Sequence, residues 1–256
     1  VRRPPTDHVV VGRDALLRQA GAAWVEGPLL LVGPGGIGKS HVAKALVGPR
    51  VSMSVWIDLS HARSVAEVRS ALARAFGMQA APTPETMAAR ALTASRGMRR
   101  WVVLDTLEQL TEEAEVWLDA WVDAVAPVIS VLGTTRRGRP GTMWGAVPVG
   151  PLTPEAATEL YRLYCPVASP SDAEAIDTVV RALEGVPLAI ELAARTRTGS
   201  DPAVAMRARH RSLDACLEVS WSLLRPEARA ALTALSVFEG AVDRHGAQAV
   251  VRSSGP

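Results

Sequence analysis

The stretch LLLVGPGGIGKSHVAKAL, residues 29–46, decides the fold class because it joins two kinds of secondary structure through a glycine-rich segment. Residues 28–33, PLLLVG, form a short continuous apolar run that is typical of a strand buried on both faces. A helix is expected to begin near Lys39. Glycine weakens both kinds of element, so the glycines at this junction indicate a backbone that turns sharply or approaches another group closely.

Residues 33–40, GPGGIGKS, match the pattern G-x-x-x-x-G-K-[ST], and the flanking strand and helix supply the context that this pattern requires. The match predicts a phosphate-binding loop, in which backbone N–H groups and the N-terminus of the helix face a triphosphate. Lys39 would add its charge at the β- and γ-phosphate oxygens, and the Ser40 hydroxyl would ligate Mg²⁺. The residues predicted to contact the nucleotide here are Gly33, Pro34, Gly35, Gly36, Ile37, Gly38, Lys39, Ser40 and His41.

The first 150 residues alternate short apolar runs with helical patterns, which predicts an α/β fold with a parallel sheet and helices on both of its faces. Besides 28–33, the predicted strands are residues 54–60, 100–105, 127–135 and 146–150. The predicted helices between them are residues 64–77, 84–96 and 113–125. The apolar stripe of the last helix is predicted to consist of Val116, Trp117, Ala120, Trp121 and Ala124.

Two further residues are expected at the same edge of the sheet as the phosphate loop, because ligands of open parallel sheets bind beyond the carboxyl ends of the strands. Asp105 ends the third predicted strand, so its carboxylate is expected to be the second protein ligand of Mg²⁺. Arg136 follows the fourth strand, from where it would reach the γ-phosphate and distinguish ATP from ADP. Together with the loop, these residues predict binding of ATP or ADP with Mg²⁺.

Strand patterns stop after Pro151, and helical patterns follow. The predicted helices cover residues 153–164, 171–185 and 187–196, and helical character returns from Ser212 after a predicted linker at 198–203. The sequence therefore predicts three parts, which are a P-loop nucleotide-binding domain (1–150), a small helical domain (151–200) and the start of a third unit (212–256).

Net charge, cysteine content and the length of the apolar runs argue against several classes of protein. The net charge is +2, so a globally basic surface for nucleic acid is not expected, and the short basic segment 207–211, RARHR, is interpreted as a solvated surface. Two distant cysteines, Cys165 and Cys216, form neither a disulfide framework nor a zinc site, which favours a reducing, cytoplasmic location. The apolar runs are too short to span a bilayer, and no signal peptide is expected.

Six stretches, taken in order, resemble the signal-transduction ATPases with numerous domains (STAND) and their NB-ARC nucleotide switch, especially the bacterial branch found in transcriptional regulators. They are VVVGRDALL (9–17), GPGGIGKS (33–40), VVLDTLEQL (102–110), GTTR (133–136), LEGVPLAIELAA (183–194) and LEVSWSLLRPEARAALTALSVFEG (217–240). The loop alone is generic, whereas its combination with GVPLAIELA is specific. The resemblance implies a P-loop ATPase domain of the AAA+ type, an ARC1-like helical domain, and the first helices of a winged-helix domain.

The resemblance also implies nucleotide contacts outside the loop. Val11, Gly12 and Arg13, in the stretch VGRD, would line the adenine pocket, although the family usually has glutamate where this chain has Asp14. Pro187, in the stretch GVPL, would contact the nucleotide from the helical domain.

One departure from the family concerns hydrolysis. Relatives that hydrolyse ATP often carry a second acid directly after the Mg²⁺ aspartate, and this chain has Thr106 there. Glu108 is the nearest alternative acid to orient the attacking water. Asp105, Arg136 and Glu108 are therefore the candidate catalytic residues, and slow or absent hydrolysis is expected.

The leading hypothesis is a switch module that binds ATP or ADP with Mg²⁺ and takes part in signal transduction or transcription regulation. Its sensor and output domains would lie outside these residues, and oligomerisation on activation is expected. Two alternatives stay open on the sequence. One is a P-loop kinase that transfers the γ-phosphate to a small molecule, with RRGR (136–139) as a lid, and the other is a DNA-binding ATPase of the origin-recognition type.

Overall fold

The computed structural model describes residues 10–95, 100–165, 173–195, 221, 226–236, 238 and 243–253. The chain divides into two units, residues 1–152 and 153–256, which are described separately below.

The first unit contains a five-stranded parallel sheet, as the sequence predicts. The strands are β1 (Leu29–Val32), β2 (Ser54–Asp58), β3 (Arg100–Asp105), β4 (Ile129–Thr135) and β5 (Gly145–Pro148). Their order across the sheet is β2-β3-β4-β1-β5. Because every pair is parallel, the carboxyl ends of β1, β3 and β4 meet at one edge, with Leu31 opposite Thr134 and Leu104 opposite Gly133.

Five α-helices accompany this sheet. They are α1 (Asp14–Glu26), α2 (Lys39–Val47), α3 (Val65–Phe76), α4 (Pro84–Ala94) and α5 (Glu112–Val125), with 3₁₀ turns at Gly48–Met53 and Leu107–Gln109. Side chains of α3, α4 and α5 share one core cluster with alternating strand residues such as Val102, Leu104 and Val131. Helices α1 and α2 contact β1 and β4. Polar N-caps start α3, α4 and α5, where the Ser64, Thr83 and Thr111 side chains accept backbone hydrogen bonds.

The predicted apolar stripe of α5 is confirmed at Trp121, which is fully buried, and at Trp117, which is partly buried against the same core. It is wrong at the other three positions, because Val116 is 66% exposed and Ala120 and Ala124 are also exposed. The buried residues are Ala114, Leu118, Trp121, Val122 and Val125. The helix offers two apolar faces that share the two tryptophans. The face that carries Leu118, Val122 and Val125 removes more apolar surface from water than one that relies on alanines.

The second unit is helical in its described residues. Its helices are α6 (Pro154–Tyr164), α7 (Ala173–Ala182), α8 (Pro187–Arg195), α9 (Pro226–Leu235) and α10 (Arg244–Ser253). Helix α6 contacts both α7 and α8, and α9 contacts α10. Thr153 caps α6 by accepting from the Ala156 N–H, and the chain leaves α7 through Glu184 and Gly185, both at positive φ. The predicted linker at 198–203 and the basic segment at 207–211 lie outside the described residues.

None of the described helices is both long enough and apolar enough to cross a membrane. The division of residues 151–256 into an ARC1-like domain and the start of a winged-helix domain remains a prediction.

Candidate functional site

The glycines of the loop between β1 and α2 meet different backbone requirements. Gly36 and Gly38 have φ values of +73° and +96°, the left-handed region that favours glycine. Gly33 is required for a close approach instead, because a Cβ atom there would lie 2.5 Å from the carbonyl oxygen of Val149. At Gly35 the atoms nearest to an added Cβ belong to the Arg136 guanidinium, the first of them at 3.5 Å. The loop is therefore approached by the residue that follows β5 on one side and by Arg136 on another.

Lys39 is the first residue of α2 and is 8% exposed. Its Nζ atom donates to the carbonyl oxygens of Gly33 at 2.8 Å and Pro34 at 2.9 Å. Burial is the main cause that lowers the pKa of Lys39; Arg136 lowers it too, whereas Glu108 and Asp105 raise it. The ammonium group is thus held across the loop by two of the loop's own carbonyl oxygens.

Asp105 lies next to Ser40, as the position of Asp105 at the end of β3 predicts. The Ser40 hydroxyl donates to Asp105 Oδ1 at 2.8 Å, and the Thr134 hydroxyl donates to the same oxygen at 2.5 Å. A hydroxyl and a carboxylate are ligands that Mg²⁺ accepts, so the two predicted metal residues fit the ion.

The described residues contain no cluster of three or more His, Cys, Asp or Glu side chains that could hold a metal. A nucleotide-linked Mg²⁺ ion is usually held by one or two protein side chains, phosphate oxygens and water rather than by a cage of protein ligands.

Arg136 pairs with Glu108 beside the loop. Its Nε atom donates to Glu108 Oε1 at 3.0 Å, with the arginine side chain 60% exposed and the glutamate side chain 14% exposed. The same guanidinium lies near Gly35. All three candidate catalytic residues, Asp105, Glu108 and Arg136, therefore lie at the edge of the sheet that carries the loop.

A left-handed turn at Thr106 brings Glu108 to this edge. Thr106 has a φ of +68°, and its N–H donates to Thr134 Oγ1 at 2.9 Å. Such a backbone costs about 1–3 kcal/mol in a β-branched residue, and strain of this kind is concentrated at functional sites. The turn directs Leu107 into the core, where it is fully buried, and leaves Glu108 to pair with Arg136.

Arg13 has a role that the sequence analysis did not anticipate. Its guanidinium donates to the carbonyl oxygens of Gly150 at 2.6 Å, Pro151 at 3.3 Å and Ile37 at 3.4 Å. The residue is 8% exposed, and burial lowers its pKa. Arg13 therefore fastens the start of α1 to the phosphate loop and to the segment that follows β5.

The other predicted nucleotide contacts are distributed as follows. Val11 is buried, and Gly12 has a φ of +64°. His41 lies in the first turn of α2 with an exposed side chain. Pro187 is the first residue of α8, in the second unit. The nucleotide contacts of all four residues remain predictions.

Arg139 is held by two acids of α5, another arrangement that the sequence analysis missed. It contacts Asp119 at 2.6 Å and Glu115 at 2.9 Å, and Trp144 Nε1 donates to the same Asp119 oxygen at 2.8 Å. Glu115 and Asp119 are four residues apart on α5, a spacing that places both acids on one face and could have indicated a basic partner. The network fastens the segment between β4 and β5 onto α5.

Known proteins resemble this chain in sequence and in fold. A family model described as an AAA domain matches residues 25–137, the segment that carries the loop, Asp105 and Arg136. A solved STAND protein with a tetratricopeptide repeat sensor, from Pyrococcus horikoshii, has the same fold with a TM-score of 0.67 at 18% identity, over 96% of this chain and 37% of that one. An uncharacterized protein of Mycobacterium tuberculosis is 30% identical over 270 aligned residues, covering 94% of this chain and 68% of that protein.

The chain belongs to the same family as this mycobacterial protein, and residues 25–137 carry a P-loop ATPase domain of the AAA type. The α/β P-loop fold predicted from the sequence is confirmed, and the comparisons support the predicted resemblance to STAND-type P-loop ATPases. The chain is also 28% identical over 252 residues to a proposed HTH-type transcriptional regulator of Mycobacterium tuberculosis, over 88% of its own length. It spans only about 28% of the length of that regulator. A P-loop ATPase fold implies nucleotide and Mg²⁺ binding in general.

Proposed function

We propose that this STAND-type chain is a nucleotide-operated switch module, which binds ATP or ADP with Mg²⁺ and responds differently to the two. The observation that carries the proposal is the convergence of Lys39, Ser40, Asp105 and Arg136 at one edge of the sheet, with the Ser40–Asp105 hydrogen bond already formed. The site is thus preorganised for an anion and a divalent cation together.

Different residues would contact different parts of the bound nucleotide. The backbone N–H groups of the loop and the Lys39 ammonium group would bind the phosphates that ATP and ADP have in common. Ser40 and Asp105 would hold Mg²⁺, which when bound neutralises phosphate charge. Arg136 would report the third phosphate, since its present partner Glu108 is a carboxylate that another anion can replace.

Slow hydrolysis is part of the proposal. Thr106, which cannot act as a base, stands directly after Asp105, and the nearest acid, Glu108, is hydrogen-bonded to Arg136. The position directly after Asp105, where hydrolysing relatives often carry a water-orienting acid, therefore has none. The long-lived ATP state that results suits a switch better than a motor.

Signalling and transcription regulation are the proposed setting. The support is the likeness to a proposed HTH-type regulator and to a STAND protein that carries a sensor. We propose that the sensor and output functions belong to domains or proteins outside these residues. We also propose oligomerisation on activation, an NB-ARC type of closure and a cytoplasmic location. The P-loop kinase alternative has less support, because Arg139 of the supposed lid is held by Glu115 and Asp119 on α5.

The test compares the nucleotide-free, ADP-bound and ATP-bound protein by hydrogen exchange, with Mg²⁺ present. A switch predicts that ATP and ADP both protect residues 33–41, and that ATP alone changes exchange around Arg136 and in the helices of the second unit. Identical exchange patterns with ATP and ADP would contradict the switch, even if both nucleotides bind. Phosphate transfer to a metabolite would favour the kinase instead.

A further inference from the structure

We propose that Thr134 is a positioning residue for the metal ligand Asp105, and that its hydroxyl decides which carboxylate oxygen is offered to Mg²⁺. The inference rests on the proposed nucleotide site and deepens it. It concerns a residue of the stretch GTTR (133–136) to which the sequence analysis assigns no role.

The hydroxyl of Thr134 is buried and makes two hydrogen bonds. The side chain lies at the end of β4 in a residue that is 1% exposed. Its oxygen accepts the N–H of Thr106 at 2.9 Å and donates to Asp105 Oδ1 at 2.5 Å. The Thr106 amide can only donate, so the one proton of the hydroxyl is directed at Asp105 Oδ1.

Two hydroxyls converge on one oxygen of Asp105. Ser40 and Thr134 both donate to Oδ1, and in the part of the chain that the structure describes Oδ2 accepts no hydrogen bond. A carboxylate that is held through one oxygen has its rotation about χ2 fixed. The arrangement therefore assigns Oδ2 to the cation or to a water molecule bound to it, and Oδ1 to the two hydroxyls.

The same hydroxyl also supports the turn that carries Glu108. The Thr106 N–H is the donor that Thr134 accepts, and Thr106 is the residue with the left-handed backbone. Thr134 therefore links the orientation of Asp105 to the turn that sets Glu108 beside Arg136. One side chain connects the proposed metal ligand with the group that senses the third phosphate.

The experiment measures ATP affinity by calorimetry, once in excess Mg²⁺ and once in EDTA, for the full chain. The informative quantity is the ratio of the two affinities, which reports the contribution of Mg²⁺ alone. Thr134→Val removes the hydroxyl at nearly constant shape, Thr134→Ala removes it with less bulk, and Thr134→Ser retains it. Thr135→Val is the matched control, because Thr135 is also buried in β4 and its oxygen accepts from Arg137 N–H rather than serving Asp105.

We expect Thr134→Val and Thr134→Ala to lower the Mg²⁺-dependent ratio about tenfold, the usual effect of removing a group that orients a metal ligand. Affinity in EDTA should stay the same, and Thr134→Ser and Thr135→Val should keep the ratio of the wild type. In an Asp105→Asn background, Thr134→Val should have no further effect on the ratio.

Two results would overturn the inference. One is an unchanged ratio in both hydroxyl-free variants, and the other is an equal loss of affinity with and without Mg²⁺, which a purely structural role would cause. If Thr134→Val fails to fold, Thr134→Ala and Thr134→Ser decide the matter by the same ratio. Failure of the proposed function looks different: without a nucleotide site the wild type itself would bind ATP in neither buffer, and without a switch ATP and ADP would give identical hydrogen-exchange patterns.

Discussion

Arg136 and Glu108 form an ion pair beside the phosphate loop, with Nε and Oε1 separated by 3.0 Å. Glu108 reaches this position because Thr106 turns the chain through a left-handed backbone directly after Asp105. An ion pair with one largely exposed partner contributes about 0–1 kcal/mol, so a phosphate can take the place of the carboxylate at small cost. Arg136 is therefore suited to exchange Glu108 for the third phosphate when ATP binds.

Replacing Arg136 by alanine should remove the preference for ATP over ADP. A hydrogen bond between charged groups is worth about 1.5–3 kcal/mol, so we expect ATP affinity to fall about tenfold or more while ADP affinity changes little. Arg137→Ala is the matched control, because Arg137 is the exposed neighbour of Arg136. Calorimetric titration with each nucleotide checks the prediction, and an unchanged ATP-to-ADP ratio in Arg136→Ala would refute it.

Replacing Thr106 by aspartate should raise the rate of ATP hydrolysis several-fold. It places a carboxylate directly after Asp105, where water can be oriented, and aspartate tolerates a left-handed backbone better than threonine. Thr106→Asn is the matched control, since asparagine also tolerates this backbone and has the same shape without the charge. Phosphate release is the measurement, and equal rates in the two variants would show that Thr106 does not mark a missing acid.

Much of the site was predictable because it follows from local patterns. The glycine loop, Lys39 and Ser40 are contiguous, and Asp105 joins them because the carboxyl ends of parallel strands share one edge. The pairing of Glu108 with Arg136 was not predictable, since it depends on a left-handed turn at a threonine, a residue that gives no signal for one. The predicted stripe of α5 was right at its two tryptophans and wrong at Val116 and the two alanines, because periodicity alone does not choose between two apolar faces.

The hydrogen bonds of Arg13 could not be predicted from the sequence either, because two of its three carbonyl partners lie more than a hundred residues away along the chain. Replacing Arg13 by methionine leaves those carbonyls without a donor, and we expect the protein to lose about 2–3 kcal/mol of stability. Arg13→Lys should restore little, because an ammonium group cannot reproduce the guanidinium fork.

Arg18→Met is the control for that prediction, since Arg18 is exposed on the same helix and its replacement should change stability by less than about 0.5 kcal/mol. Denaturant unfolding compares the three variants. Equal stability of Arg13→Met and Arg18→Met would contradict the role assigned to Arg13.

The capping box of α3 predicts an acid-dependent contribution to stability. Glu67 accepts the N–H groups of Arg63 and Ser64, each at 2.8 Å, and these bonds together with the Ser64 hydroxyl lower its pKa to about 2. A lowered pKa stabilises the fold above the ordinary value of 4.5, and this contribution is lost as the pH falls from there toward 2. Glu67→Gln should therefore be less stable than the wild type at pH 7, and the difference should shrink in acid.

Melting temperatures of both proteins, measured from pH 7 downward, check this prediction. A difference that stays constant as the pH falls would show that the carboxylate charge does not stabilise α3.

The most direct test of the nucleotide site uses the two lysines of the sequence, Lys39 and Lys44, which lie on the same helix. Lys39 spans the phosphate loop, whereas Lys44 lies over the ring of Trp56, 5.8 Å from its centroid. The measurement is ATP affinity in Mg²⁺ for Lys39→Ala, Lys44→Ala and the wild type. The account predicts that Lys39→Ala loses about a hundredfold or more in affinity and that Lys44→Ala binds like the wild type. Equal affinity of Lys39→Ala and the wild type would contradict it.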